Sequence, residues 1–430
     1  MRPALPTLLL ALAAAPALGL PAATDAPPEQ GLAFAVALKG SGEALAAGPY
    51  QLKVPGGAGP LRLEVSGLAV EGARLRGEVR LHNGSGLLLA GLELRFLSAT
   101  PTRREDIGRS TVSPVPVGLR VPIAFGDLLP GESTPRTPFE LSPLPLGDGV
   151  ALATVLGAVS GLAVEAPVAV PGATRPVALD ADRSGRLYLA SAGVGRVLRF
   201  TLPSASSPAE AARPASPPAG VALRRRNGDL LVSTGGPLLE VHRPGRGRPA
   251  TLDAGRNVTG LRTDGKHVLW AASGGSVLAF DEAKPGPARA LGGEDSEVVS
   301  FDVDARGTVH AVLREGEASR VVVAGPAGPA PFRAGKGSGA DALEAPTACR
   351  FDGEGSLWVS ASPRDPEGTV LARFQPDGAP LGALSRLALA LLLGREEDAA
   401  VPAVVDLAPG PERRLYVLLE DGAVFAIRPI

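Results

Sequence analysis

Pro176–Phe200 reads PVALDADRSGRLYLASAGVGRVLRF: a short apolar run, a polar turn closed by Gly185, a second run, a small-residue turn and a third run. Such runs, bounded by turn residues, predict three antiparallel strands, and glycine suits a tight strand-to-strand turn because the turn often needs positive φ. The pattern returns as AGVALRRRNGDLLVSTGGPLLEV from Ala219, VTGLRTDGKHVLWAASGGSVLAF from Val258 and VVSFDVDARGTVHAVLREGEASRVVV from Val298. Two more copies are PTACRFDGEGSLWVSASPRDPEGTVLARF from Pro346 and VVDLAPGPERRLYVLLEDGAVFAI from Val404. The turn glycine is Gly185, Gly228, Gly265, Gly307 and Gly355, with Arg413 in its place in the sixth copy, at spacings of 43, 37, 42, 48 and 58 residues. Self-similarity at this period marks an array of small sheets that bury their faces only against their neighbours.

Weak fourth strands fall between copies, at Ala250–Leu252 and Ala288–Leu291. Three strong strands and one weak one in about 40 residues have the size of a propeller blade. The copies resemble NHL repeats, best in GKGSGADALEAPTACRFDGEGSLWVSA at Gly335–Ala361. That resemblance implies a six-bladed β-propeller over residues 166–430, a fold also similar to gluconolactonase-type enzymes. The sixth copy stops three residues after its third strand, so Ala166–Val170 is expected beside Val424–Ile427, closing the ring and removing an open edge. An insert at 381–395, LGALSRLALALLLGR, lengthens the last spacing. Its Leu381, Leu384, Leu387, Ala388, Leu391 and Leu392 share a helical stripe, and Gly394 suits a helix C-terminus, so a short helix is expected.

Upstream, the period is two. Leu61–Val65, Leu75–Leu81 and Leu92–Phe96 alternate apolar and charged residues, the pattern of strands with one buried and one wet face. Turn clusters at Pro55–Gly57, Asn83–Gly86 and Pro130–Ser133 separate them. The order GEVRLHNGSGLLLAGLELRF, then FGDLLPGEST, resembles bacterial Ig-like domains and implies an Ig-like β-sandwich over 31–165. Arg2, the apolar run Leu8–Ala15 and the small residues through Ala23 make a secretory signal peptide over 1–23, with a leader over 24–30. The fold class is therefore all-β, an Ig-like sandwich followed by a six-bladed propeller, in a periplasmic or secreted protein.

The charge balance is 43 basic against 44 acidic residues, which leaves no basic excess to displace counterions from nucleic acid. One Cys excludes an intramolecular disulfide and a Cys-rich zinc site. No apolar stretch after the leader is long enough for a membrane-spanning helix.

No catalytic set, cofactor motif or metal site emerges. Asp180-x-Asp182-x-Ser184-Gly185 opens like a calcium loop, but Ser191 stands where the twelfth-position acid is required; Asp302-x-Asp304 fails likewise with Leu313. Both read as turns whose aspartates bond the local backbone. A gluconolactonase-like metal centre would need carboxylates and amides, and only Asn83, Asn227 and Asn257 exist. His242, His267 and His310 fall in different phases of their repeats, and Cys349 reads as a buried thiol. Two charged loop clusters remain. A rim of Glu294, Asp295, Glu297, Glu315, Glu317, Arg364, Asp365, Glu367, Glu396 and Glu397 faces one side; Arg224, Arg225, Arg226, Arg243, Arg246 and Arg248 form a basic patch opposite. On this reading the protein is a non-enzymatic binding or scaffolding component of the cell envelope, taking a protein, peptide or glycan partner. The alternative is a metal-dependent hydrolase or lyase acting in the propeller channel.

Overall fold

The computed structural model describes residues 31–39, 49–71, 74–103, 115–116, 123–142 and 150–430, the last range apart from 204, 206, 225–226, 265, 282–283, 326–327, 333–342, 366–367, 376–377 and 397–399. The expected signal peptide and leader lie outside the described residues. The described strands upstream of residue 165 are β1 (Leu32–Lys39), β2 (Tyr50–Lys53), β3 (Pro60–Glu71), β4 (Arg74–Asn83), β5 (Leu88–Arg103), β6 (Val115–Pro116), β7 (Ile123–Leu128), β8 (Thr137–Leu141) and β9 (Val150–Val164). Strands β2-β3-β4-β8 form one antiparallel sheet. In the other, β9 lies between β1 and β5, and β5 also pairs β6 and β7. The alternation read from sequence puts Leu61, Leu63, Val65, Leu75, Val79, Leu81, Leu92, Leu94 and Phe96 into one core between the two sheets.

After β10 (Val168–Ala169), each of the first five repeats folds as a separate antiparallel sheet, and the last joins the sheet that holds β9. The first is β11–β14 (Pro176–Ala181, Arg186–Ser191, Arg196–Thr201, Ala209–Ala212) and the second β15–β18 (Gly220–Arg224, Asp229–Ser233, Leu238–His242, Ala250–Asp253). The third is β19–β22 (Gly260–Thr263, Leu269–Ser273, Ser276–Asp281, Lys284–Ala290) and the fourth β23–β26 (Ser296–Val303, Val309–Glu315, Ala318–Gly325, Gly328–Pro331). The fifth is β27–β30 (Pro346–Phe351, Leu357–Ala361, Thr369–Phe374, Pro380–Ser385). The last repeat supplies β31–β33 (Val404–Pro409, Leu415–Leu419, Ala423–Pro429). First strands of successive sheets are neighbours, and β11 also packs on β31, so the first strands surround a common axis, the arrangement of a β-propeller. Gly185, Gly228, Gly307 and Gly355 all have φ between +74° and +84°. Arg413 takes the same left-handed conformation at φ +62°, so the turn geometry persists where the glycine does not.

The last sheet is completed from upstream, as expected, but by a longer segment. Val168 and Ala169 pair with Val424 and Ala423, the Glu165 N–H donates to Ala426 O at 2.8 Å, and Leu162–Val164 of β9 pair with Ile427–Pro429. β9 thus belongs both to the upstream sheet and to the closing sheet of the ring. A boundary at residue 165 therefore leaves this shared strand on the upstream side and separates it from the sheet that it closes.

The insert departs from its sequence pattern. Leu381 and Leu384 lie in β30, and the helix is only α1 (Arg386–Leu392). The open edge of β29 takes 380–385 as its partner, and satisfying a row of backbone groups outweighs local helical periodicity. Ser385 caps α1 by accepting the Ala388 N–H at 3.0 Å, and Gly394 ends it at φ +65°. Ser385 Oγ also donates to Asp127 Oδ2 at 2.8 Å, tying the insert to the upstream domain. Ala388 and Leu389 share an apolar cluster with Leu88, Ala90, Leu162 and Val164. Among the described residues no helix is long and apolar enough to cross a membrane.

Candidate functional site at the axis

Four repeats share a turn aspartate: Asp182, Asp264, Asp304 and Asp352. In each, Oδ1 accepts the N–H groups two and four residues on, at 2.8–3.0 Å, which closes the turn. Two residues before it the first strand carries Asp180, Arg262, Asp302 or Arg350; the last repeat contributes Asp406 from β31. All five side chains are buried, and their contacts run between sheets. Arg262 Nη2 donates to Asp406 Oδ1 at 2.5 Å, from the third sheet to the last. Arg350 Nη2 donates to Asp180 Oδ1 at 3.1 Å, from the fifth sheet to the first, and its Nε lies 3.5 Å from Asp302 Oδ2.

Backbone chemistry explains why charge is buried there. A first strand is an edge strand, so its outward N–H and C=O groups have no ladder partner. Each axial aspartate answers two of them. Asp180 accepts from Ala181 N and from Leu223 N of the next sheet; Asp302 accepts from Val303 N and Phe351 N; Asp406 accepts from Leu407 N and Leu179 N, all at 2.8–2.9 Å. Arg262 answers carbonyls, donating to Phe301 O at 3.1 Å and Leu261 O at 3.0 Å. The aspartates staple the first sheet to the second, the fourth to the fifth and the last to the first, and the arginines neutralise most of their charge.

The two guanidiniums are not equivalent. Burial opposes the charge of Arg262, but Asp406, Asp302 and Asp180 more than offset it and raise its pKa. For Arg350, burial and then the neighbouring Arg262 prevail over the aspartates, and its pKa is lowered. Arg350 Nη1 is buried with no hydrogen-bond partner among the described residues. Nearby, burial pushes the Cys349 thiol up to about 12, making it an inert core group, as expected. His310 is buried against Phe351 with its ring centroid 4.8 Å away, its Nδ1 is unpartnered, and burial lowers its pKa.

The axial residues do not fit a divalent metal. Both oxygens of all three aspartates already accept N–H donors, and two guanidiniums occupy the positions where a cation would draw on them. Among the described residues no group of three or more His, Cys, Asp or Glu side chains could hold a metal ion.

The loop clusters read from sequence stay away from the axis. Glu294, Asp295, Glu317, Asp365 and Glu396 are exposed; Glu297 pairs with Arg314, Glu315 with Arg320 at 2.9 Å, and Arg364 with Glu344 at 3.6 Å. Arg243 lies 3.8 Å from Asp229, Arg246 and Arg248 are exposed, and Arg224 ends β15. Glu367, Glu397, Arg225 and Arg226 lie outside the described residues. Sequence reading placed Asp182 and Asp304 correctly as turn residues but missed the axial set. Its signal was present, a charged residue two positions before each turn aspartate.

No protein-family description matches the sequence, and no curated protein sequence is similar to it. Similar solved structures include the PQQ-bound aldose sugar dehydrogenase of Streptomyces coelicolor, at 16% identity and TM-score 0.46, covering 63% of this chain and 98% of that one. A gluconolactonase of Xanthomonas campestris is 12% identical at TM-score 0.44, over 63% of this chain and 90% of its own. Virginiamycin B lyase of Staphylococcus aureus is 11% identical at TM-score 0.41, over 92% and 99%. All three bear the names of enzymes, which corrects the expectation of a non-enzymatic binding or scaffolding protein. At these identities no reaction or substrate is carried over to this chain.

Proposed function

We propose that the chain is an exported β-propeller enzyme of hydrolase or lyase type, with six blades preceded by an Ig-like sandwich, whose chemistry centres on Arg350 at the axis. The observation that carries this reading is Nη1 of Arg350: a buried guanidinium nitrogen that calls for an oxygen acceptor, while Nη2 is bonded to Asp180 and Nε, also without a hydrogen bond, lies 3.5 Å from Asp302. A fixed donor in a low-dielectric site stabilises negative charge that develops on a carbonyl oxygen, and it needs no reorganisation to do so. Three aspartates against two arginines leave the cluster net negative, so a neutral ester or lactone suits it better than a carboxylate or phosphate. The saturated aspartates favour a reaction without an axial metal.

The test is turnover of a panel of lactones and esters by the purified full chain, followed by acid release. Arg350→Lys keeps a cation beside Asp180 but removes Nη1, and is expected to lower kcat/KM at least tenfold with the fold retained by circular dichroism. Turnover unchanged in that variant would remove Arg350 from the reaction; no turnover of any panel member would count against the class.

A further inference from the structure

We propose that the joint between the upstream domain and the closing sheet is a binding site for a small oxyanion, built by Arg414 and Arg428 around Glu165. Arg428, in β33, is 5% exposed and its Nη2 pairs with Glu165 Oε1. Arg414 Nε lies 3.5 Å from the same oxygen. Two guanidiniums therefore share one carboxylate, and among the described residues neither has another carboxylate within ion-pair distance. The Nε atoms of both are buried without a hydrogen-bond partner. A buried donor left unanswered is costly, so this pair calls for acceptor oxygens beyond the single Glu165 oxygen that both guanidiniums share.

Three further features make the place a site rather than a latch. Glu165 and Arg414 keep 26% and 29% of their side chains exposed, so solvent reaches the pair. The β2–β3 turn is shaped to the guanidinium: at Gly56, with φ +76°, a Cβ would lie 2.7 Å from Arg428 Nη2. The Tyr416 hydroxyl lies close enough to Arg414 to feel its charge and adds a polar group. The local charge is one positive in excess, opposite to the axis, so the two places select ligands of opposite character. Phosphate and sulfate offer several oxygens in the geometry that guanidinium forks match.

Inorganic phosphate is the probe, titrated into the full chain by calorimetry and by thermal shift, with sodium chloride at matched ionic strength as the control. Saturable binding and a rise in melting temperature with phosphate, but not with chloride, are expected. Arg414→Gln should weaken the affinity at least tenfold. Glu165→Gln should tighten it several-fold, because it removes the carboxylate that competes for the same donors; a purely structural latch would lose stability in this variant without gaining affinity. Equal responses to phosphate and chloride, affinity unchanged in Arg414→Gln, or no gain in Glu165→Gln would each overturn the proposal. Because the readout is binding, the result does not depend on whether the axial site is catalytic.

Discussion

Asp406 and Arg262 stand 144 residues apart in the chain and 2.5 Å apart in the fold, joining the last sheet to the third across the axis. Asp406 also accepts the Leu179 N–H of the first sheet, so one carboxylate ties three sheets together. Removing one partner of a buried pair leaves the other charged and unanswered, at a cost of about 3–5 kcal/mol. Asp406→Ala is expected to lose that much in urea denaturation. Because Arg262 would no longer be stranded, Arg262→Met combined with Asp406→Ala should lose clearly less than the two single losses added together.

The turn aspartates divide by burial. Asp352 Oδ2 accepts from Trp358 Nε1 at 3.0 Å and from Arg373 Nη2 at 2.8 Å, and Arg373 is only 1% exposed. Asp304 serves only its own turn among the bonds described. Asp352→Ala should therefore cost about 3 kcal/mol or more, and Asp304→Ala about 1 kcal/mol. Equal losses at the two positions would show that the Arg373–Trp358 cluster adds nothing to the turn.

Strand content and the repeat were legible because they rest on local pattern. Period-two alternation at Leu61–Val65 and the recurrent turn before Gly185 are written in neighbouring residues. Arg413 shows the limit of residue identity: the turn keeps its left-handed geometry where glycine is absent. The axial network was not legible, because Asp180 is two positions from Asp182 and reads as part of one turn. Its partner Arg350 is 170 residues away and becomes a neighbour only when the ring closes. The helix in the insert was overread for a different reason. Leu381 and Leu384 fit a helical stripe, but that pattern says nothing of the unpaired edge that β29 offers to the same residues.

Closure by a shared strand has a consequence for truncation. A chain that begins at Glu165 loses Leu162–Val164 and exposes the Ile427–Pro429 edge, where unpaired backbone groups invite association. It should elute partly as aggregate in size-exclusion chromatography and melt below the full chain. Deleting 166–170 should also lower the melting temperature, since Val168 and Ala169 hold β33. Deleting 24–30 should leave it unchanged. A monodisperse chain from Glu165 with the full-length melting temperature would show that β9 is dispensable to the ring.

His310 sets a pH dependence whose sign follows from its surroundings. Burial lowers its pKa below the ordinary 6.5, Phe351 and Phe332 meet its ring edge to face, and Asp304 and Asp302 only partly oppose the shift. Well above pH 6.5 the imidazole is neutral in both folded and unfolded chains and contributes no pH dependence. As the pH falls through that value the unfolded chain takes up the proton first, so the unfolded state binds more protons and stability drops. The loss continues until the folded pKa is reached and then levels off for this group. His310→Phe keeps the aromatic packing and removes the titration. Its melting temperature should fall less than that of the wild type between pH 7 and pH 5, measured in buffers of constant ionic strength. Parallel curves for the two proteins over that range would mean that the acid sensitivity comes from carboxylates alone.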